Sequence, residues 1–335
     1  MGIISKTIIY KIVGALEIKL AAHWLEGETG TPVLLYLHGN GSPLHGSRGD
    51  IAPHMYENVA TWKYTLVSAD YRLAPQVGIH EICEDVQDSI WFIRHPQGLA
   101  ALLPKGTIDS TRLAVSGSGG GGYLAQLAGL YALQGPQVVL ALYPISDPLG
   151  SFFTTSHPWD EADRNGMDTM TAKAALKPLL DRKGKVVSSS TDTDGSMRSL
   201  LYKYMLHRGN LAELLHFDLT TNAQRDRSND WWRITKGMGA QRGHRPTFII
   251  HGLEDDQVDV GQSDEVIGAL NGVEGRGWFT AFAQYERLHR YGHAFDYPNN
   301  NSKDGSEEDQ AMGQQGTPFP NAYMDTMYQF MHRFV

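Results

Sequence analysis

The sequence contains very little cysteine, with Cys83 as its one thiol among 335 residues. An internal disulfide is therefore excluded, and the chain fits a reducing compartment. A charged-then-apolar signal segment is also lacking, because Ser5, Lys6 and Lys11 interrupt the apolar residues of the opening stretch. Together these absences predict a cytoplasmic protein without a membrane anchor.

Basic residues are outnumbered by acidic ones. Lys and Arg total 29 against 37 Asp and Glu, which gives a net charge of -8 at pH 7, and no Lys/Arg block occurs. This balance argues against nucleic acid or an anionic membrane as the partner. The His and Asp residues show no ligand spacing such as H-E-x-x-H, so no metal and no other cofactor is expected. We expect a small-molecule substrate, and a homodimer stays open.

Short apolar runs alternate with helical periodicity over most of the chain. Such runs, bounded by polar or glycine-rich turns and separated by helical stretches, predict a parallel sheet covered on both faces. In sheets of this kind the chemistry collects at the carboxyl ends of the strands. The opening residues alternate more regularly and predict an antiparallel hairpin at one edge. The predicted strands lie within 31–41, 64–75, 112–117, 137–148, 245–256 and 277–285.

The pattern changes between residues 151 and 242, where the sequence turns polar and helical. We interpret this segment as a helical cap inserted between two strands of a core domain that comprises residues 1–150 and 243–335. A second polar stretch, 299–320, has the composition of a loop and precedes a final helix.

Two motifs follow predicted strands and carry a family resemblance. "YLHGNG" places His38, Gly39, Asn40 and Gly41 after a buried strand, where backbone N–H groups can meet a developing oxyanion. This stretch resembles the HGGG loop of α/β-hydrolases related to hormone-sensitive lipase, with asparagine in place of one glycine. "DYRLAP", at 70–75, matches a signature of that family residue for residue. The resemblance implies an α/β-hydrolase fold with a mostly parallel central sheet flanked by helices.

Two further motifs resemble the acid and base of that family, in its order of nucleophile, acid and histidine. "HGLED" resembles the HGxxD turn and implies Asp255 as the acid, with Asp256 as the local rival. "GHAFD" implies His293 as the general base, rather than His289 four residues earlier. Asp255 would then orient the imidazole of His293 and stabilise its protonated form.

The nucleophile position is the point at which the sequence departs from the family. "RLAVSGSGGGGYLA", at 112–125, aligns without gaps with a strand followed by the family's G-D-S-A-G-G-N-L-A elbow. In that register Gly119 takes the place of the serine and Gly120 the place of the following alanine. A shift of one residue would make Ser118 the nucleophile but would break matches on both flanks. The resemblance implies an oxyanion hole built from Gly39, Asn40, Gly41 and Gly120.

Three explanations of Gly119 compete. We favour the first, in which the chain is an inactivated variant of a serine carboxylesterase that acts on a small apolar ester. It can instead be a native protein of this fold that has left hydrolysis for lyase, cyclase or ligand-binding chemistry. In the third explanation Ser118 reacts in a variant elbow. The predicted cap offers aromatic side chains that could line an apolar pocket or simply pack it onto the sheet: Phe152, Phe153, Trp159, Trp231 and Trp232.

Overall fold

The computed structural model describes the chain in eight stretches, at residues 2–39, 43–159, 167–191, 197–217, 232–240, 245–274, 283–297 and 321–335. Within them, eight strands form one sheet. In chain order they are β1 (Ile3–Val13), β2 (Leu16–Leu25), β3 (Thr31–Leu37), β4 (Thr65–Ala69), β5 (Ile108–Ser118), β6 (Val138–Leu142), β7 (Thr247–Gly252) and β8 (Ala283–Leu288).

The order of strands across the sheet is β1-β2-β4-β3-β5-β6-β7-β8. The β1–β2 and β2–β4 pairs are antiparallel, and every other neighbouring pair is parallel. This arrangement confirms the predicted mostly parallel sheet with an antiparallel hairpin at one edge. The predicted sixth run, 277–285, overlaps β8 only at its end, and residues 277–282 lie outside the described part of the chain.

Helices cover the sheet on both faces. The residues of β3 are all buried and alternate between two apolar clusters. Leu35 belongs to the cluster that contains Ile82 and Leu124, and Leu34 belongs to the cluster that contains Met327. Burial on both faces explains why the central strands are continuous apolar runs in the sequence. The helices are α1 (Pro53–Glu57), α2 (Val59–Trp62), α3 (Ile79–Arg94), α4 (Leu99–Leu102), α5 (Gly119–Tyr131), α6 (Ser151–Thr154), α7 (Thr169–Leu180), α8 (Arg198–Arg208), α9 (Leu211–Leu214), α10 (Ile234–Ala240), α11 (Gly261–Glu274) and α12 (Asn321–His332).

Between β6 and β7 the chain leaves the sheet. The described residues of 151–242 form α6 to α10 and contribute none of the eight strands. Among the described residues, one isolated β-bridge, between Ser190 and Gly46, joins this segment to the rest of the chain. No helix in the described stretches has the length and apolarity needed to cross a membrane.

Candidate active site

The turn between β5 and α5 places Gly119 at the carboxyl edge of the sheet. Gly119 is the first residue of α5 and has a φ of 51°, in the left-handed region. A residue with a Cβ atom would be strained there by about 1–3 kcal/mol, whereas glycine adopts this conformation readily. Gly119 therefore occupies a sharp strand-to-helix turn of the kind that the sequence predicts.

Other glycines of the same run are required by close packing. A Cβ atom on Gly117 would overlap the carbonyl of Gly121, and one on Gly121 would overlap the carbonyl of Leu37. At Gly119, in contrast, a Cβ atom would have its nearest contacts with His293, 3.8 Å from Cε1 and 4.0 Å from Nε2. Gly119 is thus a position in the turn that has room for a side chain, and that side chain would face an imidazole.

His293 and Asp255 lie together beside this turn. Nδ1 of His293 is 2.8 Å from Oδ2 and 3.0 Å from Oδ1 of Asp255. The backbone N–H groups of Gln257 and Val258 also donate to Oδ1, at 2.9 and 2.8 Å. The side chain of Asp255 is fully buried, while that of His293 is 20% exposed. The carboxylate is therefore fixed by the turn after β7, and it orients an imidazole that solvent can reach.

A second imidazole, which the sequence analysis did not assign, supports the same carboxylate. His251 is fully buried at the end of β7, and its Nε2 lies 3.0 Å from the carbonyl oxygen of Val258 and 3.3 Å from Oδ2 of Asp255. Burial alone would raise the pKa of Asp255, but the neighbouring His293 and His251 imidazoles hold it well below its usual range. The carboxylate thus stays ionised, as an orienting acid requires. The first residue of the HGLED motif was the sequence signal for this contact.

Tyr143 holds the opposite side of His293. Its ring packs edge-on against the imidazole, with 4.6 Å between centroids, and its hydroxyl donates to Oδ1 of Asp296 at 2.7 Å. Burial, reinforced by the nearby Asp296 carboxylate, raises the pKa of the Tyr143 phenol well above its usual value, so it stays a neutral donor. Tyr143 follows β6 with a φ of 37°, which is rare for a bulky residue and typical of strain at a functional site. The final aspartate of the GHAFD motif, Asp296, was the sequence signal for this contact of Tyr143.

Ser118, the alternative nucleophile, has its side chain in the protein interior. It is 1% exposed, and its Oγ lies 2.9 Å from the hydroxyl of Tyr36, which is itself fully buried. In the described part of the chain no hydrogen bond joins Ser118 to His293. Ser118, the last residue of β5, therefore directs its hydroxyl to Tyr36 of β3, whereas a side chain at Gly119, the first residue of α5, would face His293.

The proposed oxyanion residues are only partly visible. Gly39 and Gly120 are described, whereas Asn40 and Gly41 lie outside the described residues. Gly39 follows β3 and packs on the elbow so closely that a Cβ atom on it would meet the Ser118 carbonyl oxygen at 2.6 Å. Gly120 lies in the first turn of α5, where backbone N–H groups lack helical acceptors and the helix dipole is positive. The structure therefore brings the end of β3 and the start of α5 together.

The rival residues and the aromatic residues are placed differently. Asp256 and His289 are both exposed. Phe153 and Trp232 are buried in the main apolar cluster, with Phe152 and Trp159 packed against it, and Trp231 lies outside the described residues. Trp232 contacts the rest of the chain, through the ring of His80 and the hydroxyl of Tyr123. The rings of Phe152 and Trp159 contact side chains within 151–242, such as His157 and Tyr204.

The curated relatives of this chain are much larger proteins, and the similarity covers only a part of each. The family model described as BD-FAE matches residues 21–141. The non-reducing polyketide synthase pkbA of Emericella nidulans is 26% identical over 276 residues, which cover 71% of this chain and 11% of that protein. The non-reducing polyketide synthase trt4 of Aspergillus terreus is 26% identical and covers 79% of this chain and 12% of that protein. The chain therefore spans about a tenth of the length of these relatives.

Solved structures resemble the chain over nearly its whole length. An alpha/beta hydrolase superfamily protein from Enterococcus faecalis has a TM-score of 0.64 at 16% identity and covers 98% of both chains. Carboxyl esterase 2 from the fungus Tuber melanosporum has a TM-score of 0.58 at 14% identity, covering all of this chain and 88% of the esterase. At these identities the likeness concerns the fold, and it agrees with the sheet order and the flanking helices described above.

Proposed function

We propose, from the premise that this chain is an α/β-hydrolase-fold protein, that it has the plan of a serine carboxylesterase for a small apolar ester. Gly119 takes the nucleophile position of that plan. His293 is its general base and Asp255 its orienting acid. The chain as written then binds acyl esters but cannot form an acyl-enzyme, because glycine has no hydroxyl to acylate.

One observation carries this proposal. The position that a Cβ atom would take at Gly119 has Cε1 and Nε2 of His293 as its nearest neighbours, at 3.8 and 4.0 Å. A serine hydroxyl, one bond further out, would come within hydrogen-bond reach of Nε2, at about 2.6–3.2 Å. The positive φ of 51° is the strained elbow conformation that such a nucleophile would adopt.

In the serine form each group has a defined task. The residue 119 hydroxyl attacks the ester carbonyl, while His293 takes its proton and later returns it to the leaving alcohol. The resemblance assigns the stabilisation of the oxyanion to backbone N–H groups of Asn40, Gly41 and Gly120, in the stretch that begins with Gly39. Asp255 holds His293 with Nε2 directed at the nucleophile.

Residues 151–242 form the cap over this site in our proposal. Support comes from their contacts with the DYRLAP segment and with the loop that follows β3. Arg198 of α8, which is 3% exposed, donates to the carbonyls of Leu44 at 3.0 Å and Ala74 at 2.9 Å. Leu73 donates its N–H to the carbonyl of Val187 at 2.9 Å. The segment that identified the family in the sequence thus serves as the surface on which the cap is anchored.

A non-hydrolytic function is the second candidate, and a specific observation favours it. Glycine fits the left-handed backbone at 119 without strain, as expected of a native residue. The curated relatives are named polyketide synthases, and a polyketide chain is itself an acyl group. In this alternative the chain binds an acyl compound at the same place and performs a lyase, cyclase or ligand-binding role without a protein nucleophile.

The experiment compares Gly119→Ser with Gly119→Ala, because both return a Cβ atom to the strained turn and only serine adds a hydroxyl. We expect the serine variant to be labelled by a fluorophosphonate at residue 119, detected by mass spectrometry, and to hydrolyse 4-nitrophenyl butyrate. The alanine variant and the parent chain stay unlabelled. A serine variant that folds, yet is neither labelled nor active on a panel of acyl esters, would make the non-hydrolytic function the leading one.

A further inference from the structure

The acid–base pair beside Gly119 consists of His293 and Asp255, and in the described part of the chain no Ser, Thr or Cys side chain forms a hydrogen bond with His293. Nδ1 of His293 donates to a carboxylate that two backbone N–H groups and a second imidazole also hold. In neutral imidazole this leaves Nε2 without a proton, as a hydrogen-bond acceptor. Nε2 faces the place where a side chain on residue 119 would lie. A general base is therefore oriented towards Gly119, which has no side chain to deprotonate.

We infer that His293 acts as a general base on a water molecule beside Gly119, so that the chain as written hydrolyses esters slowly by direct attack of water. The inference rests on the proposed function, since it uses the same base and the backbone N–H donor of Gly120 at the start of α5. It differs in the nucleophile, which belongs to the solvent, and in the absence of a covalent intermediate.

Two neighbours of the His293 imidazole are fixed, and solvent still reaches the ring. Asp255 occupies the Nδ1 side, and Tyr143 covers part of the ring at 4.6 Å between centroids. The side chain of His293 is nevertheless 20% exposed, so solvent reaches it. Because glycine has no Cβ atom, a water molecule can lie about 2.8 Å from Nε2 in the space that a methyl or hydroxymethyl group at 119 would fill.

The reaction balances without any co-reactant besides water. The water oxygen forms a bond to the ester carbonyl carbon while its proton passes to Nε2 of His293. The carbonyl electron pair moves to the oxygen, where the backbone N–H groups stabilise it. When the tetrahedral intermediate collapses, the bond to the alcohol oxygen breaks, and that oxygen takes the proton from His293. The products are the carboxylic acid and the alcohol, and the imidazole returns to its starting state.

The first test measures hydrolysis of 4-nitrophenyl butyrate by the parent chain and by two histidine variants. General-base catalysis contributes about 10²–10⁴-fold, so His293→Ala should lower turnover by about a hundredfold. His289→Ala, which removes an exposed imidazole from the same loop, is the matched control and should leave turnover unchanged. Progress curves of the parent should show no burst, and fluorophosphonate should not inhibit it. Turnover at the background rate, or turnover that survives His293→Ala, would overturn the inference.

The second test fills the space itself. Gly119→Ala adds a methyl group where the water is expected, so it should lower turnover below that of the parent by tenfold or more. Circular dichroism establishes that the variant is folded. An alanine variant as active as the parent would place the water elsewhere and refute the inference. The proposed function fails by a different result, namely a folded Gly119→Ser variant without labelling or activity, so the two failures are distinguishable.

Discussion

The two sides of the candidate site are built in opposite ways. On the side of β3 and β5, backbone approaches backbone, with Gly39, Gly117 and Gly121 packed too closely for side chains. On the side of β7 and β8, the ionisable groups His251, Asp255 and His293 form a hydrogen-bonded set around one buried carboxylate. The first side thus provides backbone N–H groups and a turn without a side chain at Gly119. The second side provides the ionised carboxylate of Asp255 and the imidazole of His293, which can accept a proton.

The histidines on the two sides show the same difference. His38, at the end of β3, is fully buried against Tyr71, and burial with the neighbouring His45 lowers its pKa to about 3. His251 and His293 instead have a carboxylate partner. A histidine without a carboxylate stays neutral and structural, whereas one beside an ionised acid can accept and return a proton. The comparison therefore separates the scaffold of the site from its acid–base pair.

The largest expected effect concerns the carboxylate. In the Gly119→Ser background, Asp255→Asn should lower kcat by roughly 10³–10⁴-fold, because an amide favours the wrong tautomer of His293. The decrease in kcat is measured by ester turnover of purified Gly119→Ser with and without Asp255→Asn. Asp256→Asn is the matched control, since that neighbouring carboxylate is exposed, and it should change turnover little. If Asp256→Asn proves the more damaging substitution, the acid has been assigned to the wrong residue.

The next prediction concerns His38 and pH. Its folded-state pKa of about 3 lies below the ordinary value of 6.5, so the unfolded chain binds a proton that the folded chain excludes. The contribution of His38 to the free energy of unfolding has its full value above about pH 6.5. It falls by about 1.4 kcal/mol per pH unit as the pH drops towards 3. Urea unfolding of the parent and of His38→Gln between pH 7 and pH 5 measures the difference.

The range from pH 7 to pH 5 lies above the ordinary pKa values of Asp and Glu. The difference between the two proteins therefore reports on protonation of His38. His23 and His332 also have lowered pKa values through burial, but they are present in both proteins and cancel. Parallel stability profiles for the parent and His38→Gln would contradict a buried, neutral His38.

A third, smaller effect tests the packing of the elbow. Gly121→Ala should destabilise the fold more than Gly119→Ala, because its Cβ atom would overlap the carbonyl of Leu37 whereas that of residue 119 has ordinary contacts. Overpacking costs typically 1–3 kcal/mol or more, and the left-handed backbone at 119 costs about 1–3 kcal/mol. Denaturant midpoints of the two variants rank them. The reverse order would show that backbone strain outweighs steric overlap here.

The sequence predicted the elements whose signals are local. Apolar runs predicted the central strands because both faces of the sheet are buried, and "HGLED" and "GHAFD" indicated Asp255 and His293, which lie together. The contact of Tyr143 with Asp296 was not predicted, because these residues are 153 positions apart and meet only through the order of strands. The contact of His251 with Asp255 is local, within the HGLED turn, but the motif does not reveal that its first residue faces the carboxylate.

The smallest expected effect belongs to Ser118→Ala. The Ser118 hydroxyl contacts the hydroxyl of Tyr36 at 2.9 Å in the interior, so its loss should lower stability by about 0.5–1.5 kcal/mol, the net value of a buried hydrogen bond. Turnover of the parent chain and of the Gly119→Ser variant should stay within about twofold, because the strand directs this side chain to the sheet. Thermal melts and ester hydrolysis measure both quantities. The parent could instead show ester turnover that disappears in a folded Ser118→Ala variant. That result would make Ser118 the nucleophile and shift the register of the elbow by one residue.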